Sequence, residues 1–294
     1  MMPLTRCFQI GLLLAAASLS ARAGSFSTNF DSTTTAPPGT TLYGNAAITA
    51  AGGVGDSGCL KLTTAIGGQS SSFILDDLDA GAPIFGFDVA YDVLLYSSAT
   101  PADGMSLCYG PDLPNGTWGE EGTGSGLIFS FDTYDNGSET PLAPSIDVAL
   151  GGTKLATIKR TIATITTNSF VHVHIHLNAD GSLNFDYRGQ TLFTNFFLPG
   201  YQNMVNAALP GRFGFGARTG GSNENAFVDN LQITTFLLPL VGISQQPFSQ
   251  TVLQGDDATF DVRVANTNGA TYQWLSNSVQ IVGATSQTLT IPAV

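Results

Sequence analysis

The chain has 294 residues, 43% of them hydrophobic and 11% charged, with 10 Lys and Arg against 22 Asp and Glu and a formal net charge of −12. So apolar a composition excludes a disordered chain, and so few charges exclude a long coiled coil. So acidic a balance argues against a phosphate-backbone binder, and hence against nucleic acid as a partner.

Residues 1–23 read as an export leader rather than as part of the fold. Phe8 to Ser20 is a compact apolar run, and Ala21-Arg22-Ala23 is the small-x-small pattern that a signal peptidase cuts after. The run is shorter than the ~20 residues of a membrane span. The other apolar stretch, Phe236 to Val241, is interrupted by Pro239. The expectation is a chain without a membrane span, secreted or displayed at the cell surface, starting near Gly24. Cys7 leaves with the leader. Cys59 and Cys108 remain, either paired in an oxidising compartment or buried as free thiols. No Cys-x-x-Cys spacing is present for a structural zinc knot.

From Gly24 to Leu238 apolar residues alternate at period 2, predicting strands at 85–93, 127–131, 171–177, 183–187, 212–217 and 227–233. Asp103-Gly104, Asn115-Gly116, Asn136-Gly137 and Asp180-Gly181 mark turns between them. Asn178 to Ser182, between two alternating runs, predicts a hairpin. The stretches 31–41 and 67–72 read as surface loops, and no segment carries the start and stop signals of an amphipathic helix. Many short strands over such a length predict a two-sheet sandwich or jelly roll. His172, His174 and His176 fall on one face of one strand, ~6.5–7 Å apart. Such a row can ligate zinc, but no acid or Cys stands beside it in sequence, so a polar outer face is the expectation.

A linker is predicted at 239–242, after which the pattern restarts. Ile243 to Pro247, Val252 to Val264, Tyr272-Gln-Trp274 and Gln287 to Ile291 resemble the immunoglobulin-like repeats of bacterial secreted and surface proteins. In that family a buried Trp packs across the sandwich, and Trp274 matches it. The match spans 243–294, against the ~100 residues of such a domain. It implies a C-terminally truncated immunoglobulin-like module, marginal on its own.

Four segments of the larger region stand in a telling order: Pro101 to Ser106 with Ala102-Asp103-Gly104, Gly126 to Asn136 with Phe131-Asp132-Thr133-Tyr134-Asp135-Asn136, Ile146-Asp147-Val148, and Phe213 to Asn225 with Ala217-Arg218-Thr219-Gly220-Gly221 and Glu224. They resemble the Ala-Asp-Gly loop, the metal loop, the Ile-Asp-Val strand and the Ala-x-Thr-Gly…Glu loop of legume-type (L-type) lectins. The resemblance implies an all-β, concanavalin A-like jelly-roll sandwich that binds a glycan or polysaccharide without catalysis, with calcium as the ion. Asp132, Asn136 and the Tyr134 carbonyl match calcium ligands, with Asp135 or Glu139 standing in for the family's last Asp. Asp103 and Asn136 match sugar ligands, helped by a backbone N–H of the Gly-rich loop around Gly124. Gly220 and Gly221 belong to the rim loop. The family's transition-metal Glu and His correspond to Ser130 and Ala143, so no transition metal is expected.

The residues themselves agree in kind. Asp132, Asp135 and Asn136 set hard oxygens at spacing 0, +3 and +4, as calcium requires. Trp118 and Tyr109 offer flat apolar faces for a sugar ring, and Asp103 an acceptor for its hydroxyls. Two other classes compete. One is a structural or adhesion module that engages cell-surface proteins. The other is a glycoside hydrolase, suggested by Glu120 and Glu121. That chemistry needs two carboxyls ~5–9.5 Å apart. The laminarinase-type Glu-x-Asp-x-x-Glu is here Ser130-x-Asp132-x-x-Asp135, without the nucleophile's carboxylate.

Overall fold

The computed structural model describes residues 10–12 (backbone only), 24–32, 34–137, 143–178, 181–200, 211–237, 243–264, 272–276 and 279–294. The chain divides into two compact units, Ala21–Leu238 and a second formed by Met1–Ser20 with Pro239–Val294. The linker read at 239–242 lies outside the described residues, as does all of the leader except 10–12.

The strands run in chain order as β1 (Ile10–Leu12), β2 (Ser25–Thr28), β3 (Thr40–Gly44), β4 (Ala47–Thr49), β5 (Cys59–Thr63), β6 (Ser70–Leu75), β7 (Ile84–Tyr96) and β8 (Gly104–Gly110). There follow β9 (Leu127–Asp132), β10 (Ser145–Leu150), β11 (Thr153–Lys159), β12 (Val171–Leu177), β13 (Ser182–Tyr187), β14 (Gln190–Phe197), β15 (Arg212–Arg218) and β16 (Asn225–Leu237). The second unit adds β17 (Ile243–Gln245), β18 (Ala258–Asp261), β19 (Arg263–Val264), β20 (Trp274–Ser276), β21 (Val279–Gln280) and β22 (Thr288–Ile291).

The larger unit is a concanavalin A-like jelly-roll sandwich. Its front sheet has the order β11-β10-β9-β8-β15-β6-β3, and its back sheet β14-β13-β12-β7-β16-β5-β4 with β2 on β16. Period-2 alternation turns Phe87, Val89, Tyr91 and Val93 of β7 and Leu127, Phe129 and Phe131 of β9 into one core between the sheets. Phe87 stands edge-on to Phe129 and Phe213 with ring centroids 6.5 and 5.2 Å apart, an arrangement aromatic quadrupoles favour. The outward residues of β8 and β9 are buried too, because the segment 111–126 folds over the front sheet. It forms a second core of Leu113 and Trp118 against Ile74, Cys108, Ile128 and Ala149.

Some expectations are corrected, one open alternative is decided and the hairpin is found where it was read. Ser70–Leu75, partly read as a surface loop, is a central strand whose Ser71 and Ser72 are fully buried; the Ser72 hydroxyl donates to the Gly116 carbonyl at 2.5 Å under the covering loop. A one-turn helix, Ile162–Ile165, exists where none was expected, closed by a Thr161/Thr164 capping box. Cys59 and Cys108 are unpaired and buried. They lie on strands of different sheets, and burial pushes the Cys108 thiol up to about 11. The hairpin read around Asn178 joins β12 to β13.

The histidine row has acidic partners after all, supplied across strands rather than along the sequence. β12 pairs with β7. His172 Nδ1 lies 2.9 Å from Asp92 Oδ1, while His174 Nε2 and His176 Nδ1 lie 3.0 and 2.8 Å from the one oxygen Asp88 Oδ2. Among the described residues, no set of three His, Cys, Asp or Glu is gathered for a metal. The row is the polar outer face of the back sheet, held by hydrogen bonds to Asp92 and Asp88.

In the second unit Trp274 is fully buried against Phe260, at 6.4 Å between ring centroids, and its indole N–H donates to the Ser286 carbonyl at 2.8 Å. Ala258, Val262 and Leu289 complete that core. Residues 10–12, within the expected leader, pair antiparallel with β20, so cleavage after Ala23 would expose that strand's edge. Among the described residues, no helix is long and apolar enough to cross a membrane.

Burial alone would raise the Asp88 carboxyl, but hydrogen bonds from His176 and His174 outweigh it and hold it below the usual range. A carboxyl lowered in the fold stabilises above its unfolded pKa, ~3.9, and loses that contribution as pH falls through the folded value. Asp88 is partly solvated, so Asp88→Asn is expected to cost roughly 0.5 kcal/mol at pH 6. The difference from wild type should shrink toward pH 3 in urea titrations run across that range.

Candidate functional site

At one end of the front sheet the loops that carried the lectin resemblance converge. Their positions follow from strand register. Arg218, Gly104, Asp132 and Ser145 stand side by side on β15, β8, β9 and β10. One row inward stand Gly216, Ser106, Ser130 and Asp147. Residues two apart on a strand share a face, so both rows lie on the outward surface of the sheet.

Asp103 begins this end. The Ala102–Asp103 peptide is cis. The Asp103 N–H donates to the Arg218 carbonyl at 3.1 Å, and its own carbonyl accepts the Thr133 N–H at 3.1 Å. Asp103 is thus fixed between the ends of β15 and β9 and is only 4% exposed. Exposed Gly220 borders it, a Cβ there lying 3.6 Å from Asp103 Oδ2, and Gly221 continues the exposed rim. Thr219 anchors that rim loop, its hydroxyl donating to the Ile66 carbonyl at 2.7 Å and accepting the Gln69 N–H at 3.0 Å.

The Gly-rich loop is fastened from below. Ser106 and Ser130 donate to the carbonyls of Gly119 and Glu120 at 2.8 and 2.6 Å. Glu120 is fully buried and takes a bidentate grip from Arg218, Nε to Oε2 at 2.8 Å and Nη2 to Oε1 at 2.7 Å. Arg218 Nε also lies 3.7 Å from Asp103 Oδ2. Gly124, at φ 87°, caps Leu113 and Asp112.

Below the rim, Glu224 is fully buried and accepts the Thr133 hydroxyl at 2.6 Å. Burial, with Asp103 and Glu120 nearby, pushes its carboxyl up to about 8 against the Thr133 hydrogen bond. Fully buried, it is sealed from any glycosidic oxygen.

The metal-matching loop is folded by its own side chains. Asp132 Oδ1 accepts the Tyr134 N–H at 3.1 Å, and Asp135 Oδ1 the Gly137 N–H at 2.7 Å, two Asx turns. Asp132 is buried, whereas Tyr134, Asp135 and Asn136 are exposed. Glu139 lies outside the described residues.

The structure therefore groups Asp103, Gly220 and the Asp132–Asn136 loop at one end of the front sheet, with Gly221 next along the exposed rim loop, and corrects Gly124, which packs on Asp112 and Leu113 beyond the opposite end of β8. It removes Trp118 and Tyr109 as stacking faces. Trp118 is 7% exposed, with its indole lying on β15: a Cβ on Gly216 would come within 2.1 Å of it. The Gly residues of Phe213-Gly-Phe-Gly exist to admit that ring. Tyr109 points into the main core, 4.7 Å from the Phe213 ring. Sequence reasoning missed Arg218, although it stands inside the Ala-x-Thr-Gly motif, and considered Glu120 only for the competing hydrolase class, whereas it anchors the loop. The polar groove at Ser27, Thr28, Asn29, Asn230, Leu231 and Gln232 belongs to the back sheet and holds none of these residues.

No family model and no curated protein matches the sequence. Solved structures do match its fold. A lectin from Bauhinia forficata in complex with GalNAc has 14% identity and a TM-score of 0.57, covering 74% of this chain and 100% of its own. Lectin II from Ulex europaeus has 16% identity and a TM-score of 0.54, covering 72% and 98%. The Ca2+-bound exoplasmic/lumenal domain of VIP36 has 16% identity and a TM-score of 0.53, covering 74% and 91%. The larger unit thus has the fold of the legume lectins and VIP36.

Two outcomes follow. Trp118→Ala should cost about 3 kcal/mol of stability in denaturant titration, whereas an exposed stacking ring would lose only affinity. A carboxyl raised in the fold stabilises fully below its unfolded pKa, ~4.3, and loses that contribution as pH rises through about 8. Glu224→Gln should therefore flatten a decline of a few kcal/mol between pH 5 and 9 and melt above wild type at pH 9.

Proposed function

We propose that the larger unit is a non-catalytic carbohydrate-recognition domain of an exported protein. The observation that carries the reading is Asp103: an acceptor carboxylate fixed by backbone hydrogen bonds beneath an open Gly220-Gly221 rim, on a fold whose solved relatives include lectins. A carboxylate so held accepts hydrogen bonds from vicinal hydroxyls without reorganising. The bordering Gly residues let a sugar's edge come close.

Calcium is the ion of this reading. Asp132, the Tyr134 carbonyl and Asn136 offer hard oxygens from one short loop, donors of the kind calcium takes. Those residues would hold the ion in the loop that follows Thr133, whose N–H donates to the Asp103 carbonyl. The Asp135 side chain contributes through the turn it closes on Gly137. We read the second unit as an immunoglobulin-like module carried alongside, with its buried Trp274 as the supporting feature.

The test is a glycan array probed with the full chain, in calcium and in chelator. Binding to a defined glycan set is expected, weakened about 10- to 100-fold by Asp103→Asn, the range for one charge-assisted hydrogen bond. Loss in chelator would place calcium at the Asp132–Asn136 loop. A blank array from a protein with a wild-type melting curve would sink the reading and favour a structural or protein-binding module.

A further inference from the structure

Lys154 holds a position that recognition of a sugar does not require. It stands on β11 opposite Ala149, after a bulge in the β10–β11 pairing, on the same outward face as Asp147. Its Nζ lies 2.8 Å from Asp147 Oδ2 and 3.6 Å from Glu121 Oε2. That nitrogen is itself shielded from solvent, so its attraction to Asp147 acts in a low-dielectric setting. Asp147 is 1% exposed, and the Ser145 hydroxyl donates to its Oδ2 at 3.2 Å. Burial alone would depress the Lys154 ammonium; Asp147, Glu121 and Asp132 outweigh it and hold it above its ordinary range.

This is the corner where the resemblance puts a transition metal, and the residues do not fit one. Ser130 lies directly opposite Asp147 in the register, but its hydroxyl is spent on the Glu120 carbonyl at 2.6 Å. Ala143 has no donor atom. Of the two acids that remain, Asp147 already has a cation at 2.8 Å, and the same ammonium feels Asp132 at longer range.

We propose that the Lys154 ammonium is the built-in cation of this face: it neutralises Asp147, draws on Asp132, ties the Gly-rich loop through Glu121, and makes a transition metal unnecessary. Replacing a divalent ion by an ammonium needs one fewer acid and no imidazole, which is the pair of losses at Ser130 and Ala143. The inference concerns how the domain is held and does not rest on the glycan reading.

The test is thermal unfolding of the full chain, following the larger unit, in Mn2+, in Zn2+ and in chelator, for wild type, Lys154→Met, Asp147→Asn and the double variant. Wild type should melt within about 1 °C in all three. Lys154→Met strands a buried carboxylate and should lower Tm by about 6 °C or more. The double variant should recover most of that loss. If Lys154→Met does not fold, the recovery in the double variant and the metal insensitivity of wild type still decide the matter. Lys154→Met melting with wild type would overturn the proposal. So would a rise of several degrees in wild type with Mn2+ that Asp147→Asn abolishes. Calcium is titrated separately, because its effect reports on the Asp132–Asn136 loop.

Discussion

The bidentate grip of Arg218 on Glu120 is the contact around which the Asp103 end of the front sheet is built. An acid on a glycine-rich loop would ordinarily seek solvent. Here it is drawn down onto the sheet, and the loop comes with it. The guanidinium also stands near Asp103, and its backbone carbonyl receives the Asp103 N–H. One side chain therefore sets the height of the covering loop and the place of the acceptor carboxylate. The planar fork of arginine matters, since a lysine would bind as a point charge without fixing the loop's orientation.

Around that contact the molecule faces a shortage of cations. Asp103, Glu120, Asp132, Asp147 and Glu224 are all buried at this end of the sheet, in a chain with 10 basic residues and 22 acidic ones. Each buried charge needs a counter-charge or a proton. Arg218 serves Glu120 and Asp103, and Lys154 serves Asp147. Among the described residues Glu224 has the Thr133 hydroxyl and no cation beside it, and burial raises its pKa. Its raised pKa and the lysine in the metal corner are two answers to the same electrostatic demand.

The covering segment explains another departure from a simple sandwich. Antiparallel sheets commonly leave one face to water. Here both faces of β8 and β9 are buried, because Trp118 and Leu113 pack on the outer side. That needs small residues beneath: Gly214 and Gly216 admit the indole, while Ser106 and Ser130 supply short hydroxyls to the loop carbonyls. Ser130, which looks like a lost metal ligand by comparison with the lectins, is an anchor in its own right.

The period-2 alternation, the turn dipeptides and the order of four motifs were enough to assign an all-β jelly roll and to bring Asp103, Gly220 and the Asp132–Asn136 loop together. Those signals are local, or follow from register once strands pair. What lies between strands distant in sequence was not legible. The partners of the histidines, Asp88 and Asp92, stand some eighty residues away. Trp118 looked like an exposed ring because its neighbours in sequence are polar and small, and only the glycines of β15 show that it lies flat on the sheet. Lys154 gave no sign in its own neighbourhood, since its meaning depends on a bulge that turns it toward Asp147. Residue order alone dictates which side chains alternate, where the chain turns and how few cations there are. Which acid each cation meets follows from strand pairing, because a buried charge chooses its partner by distance across the sheet and not by position along the chain.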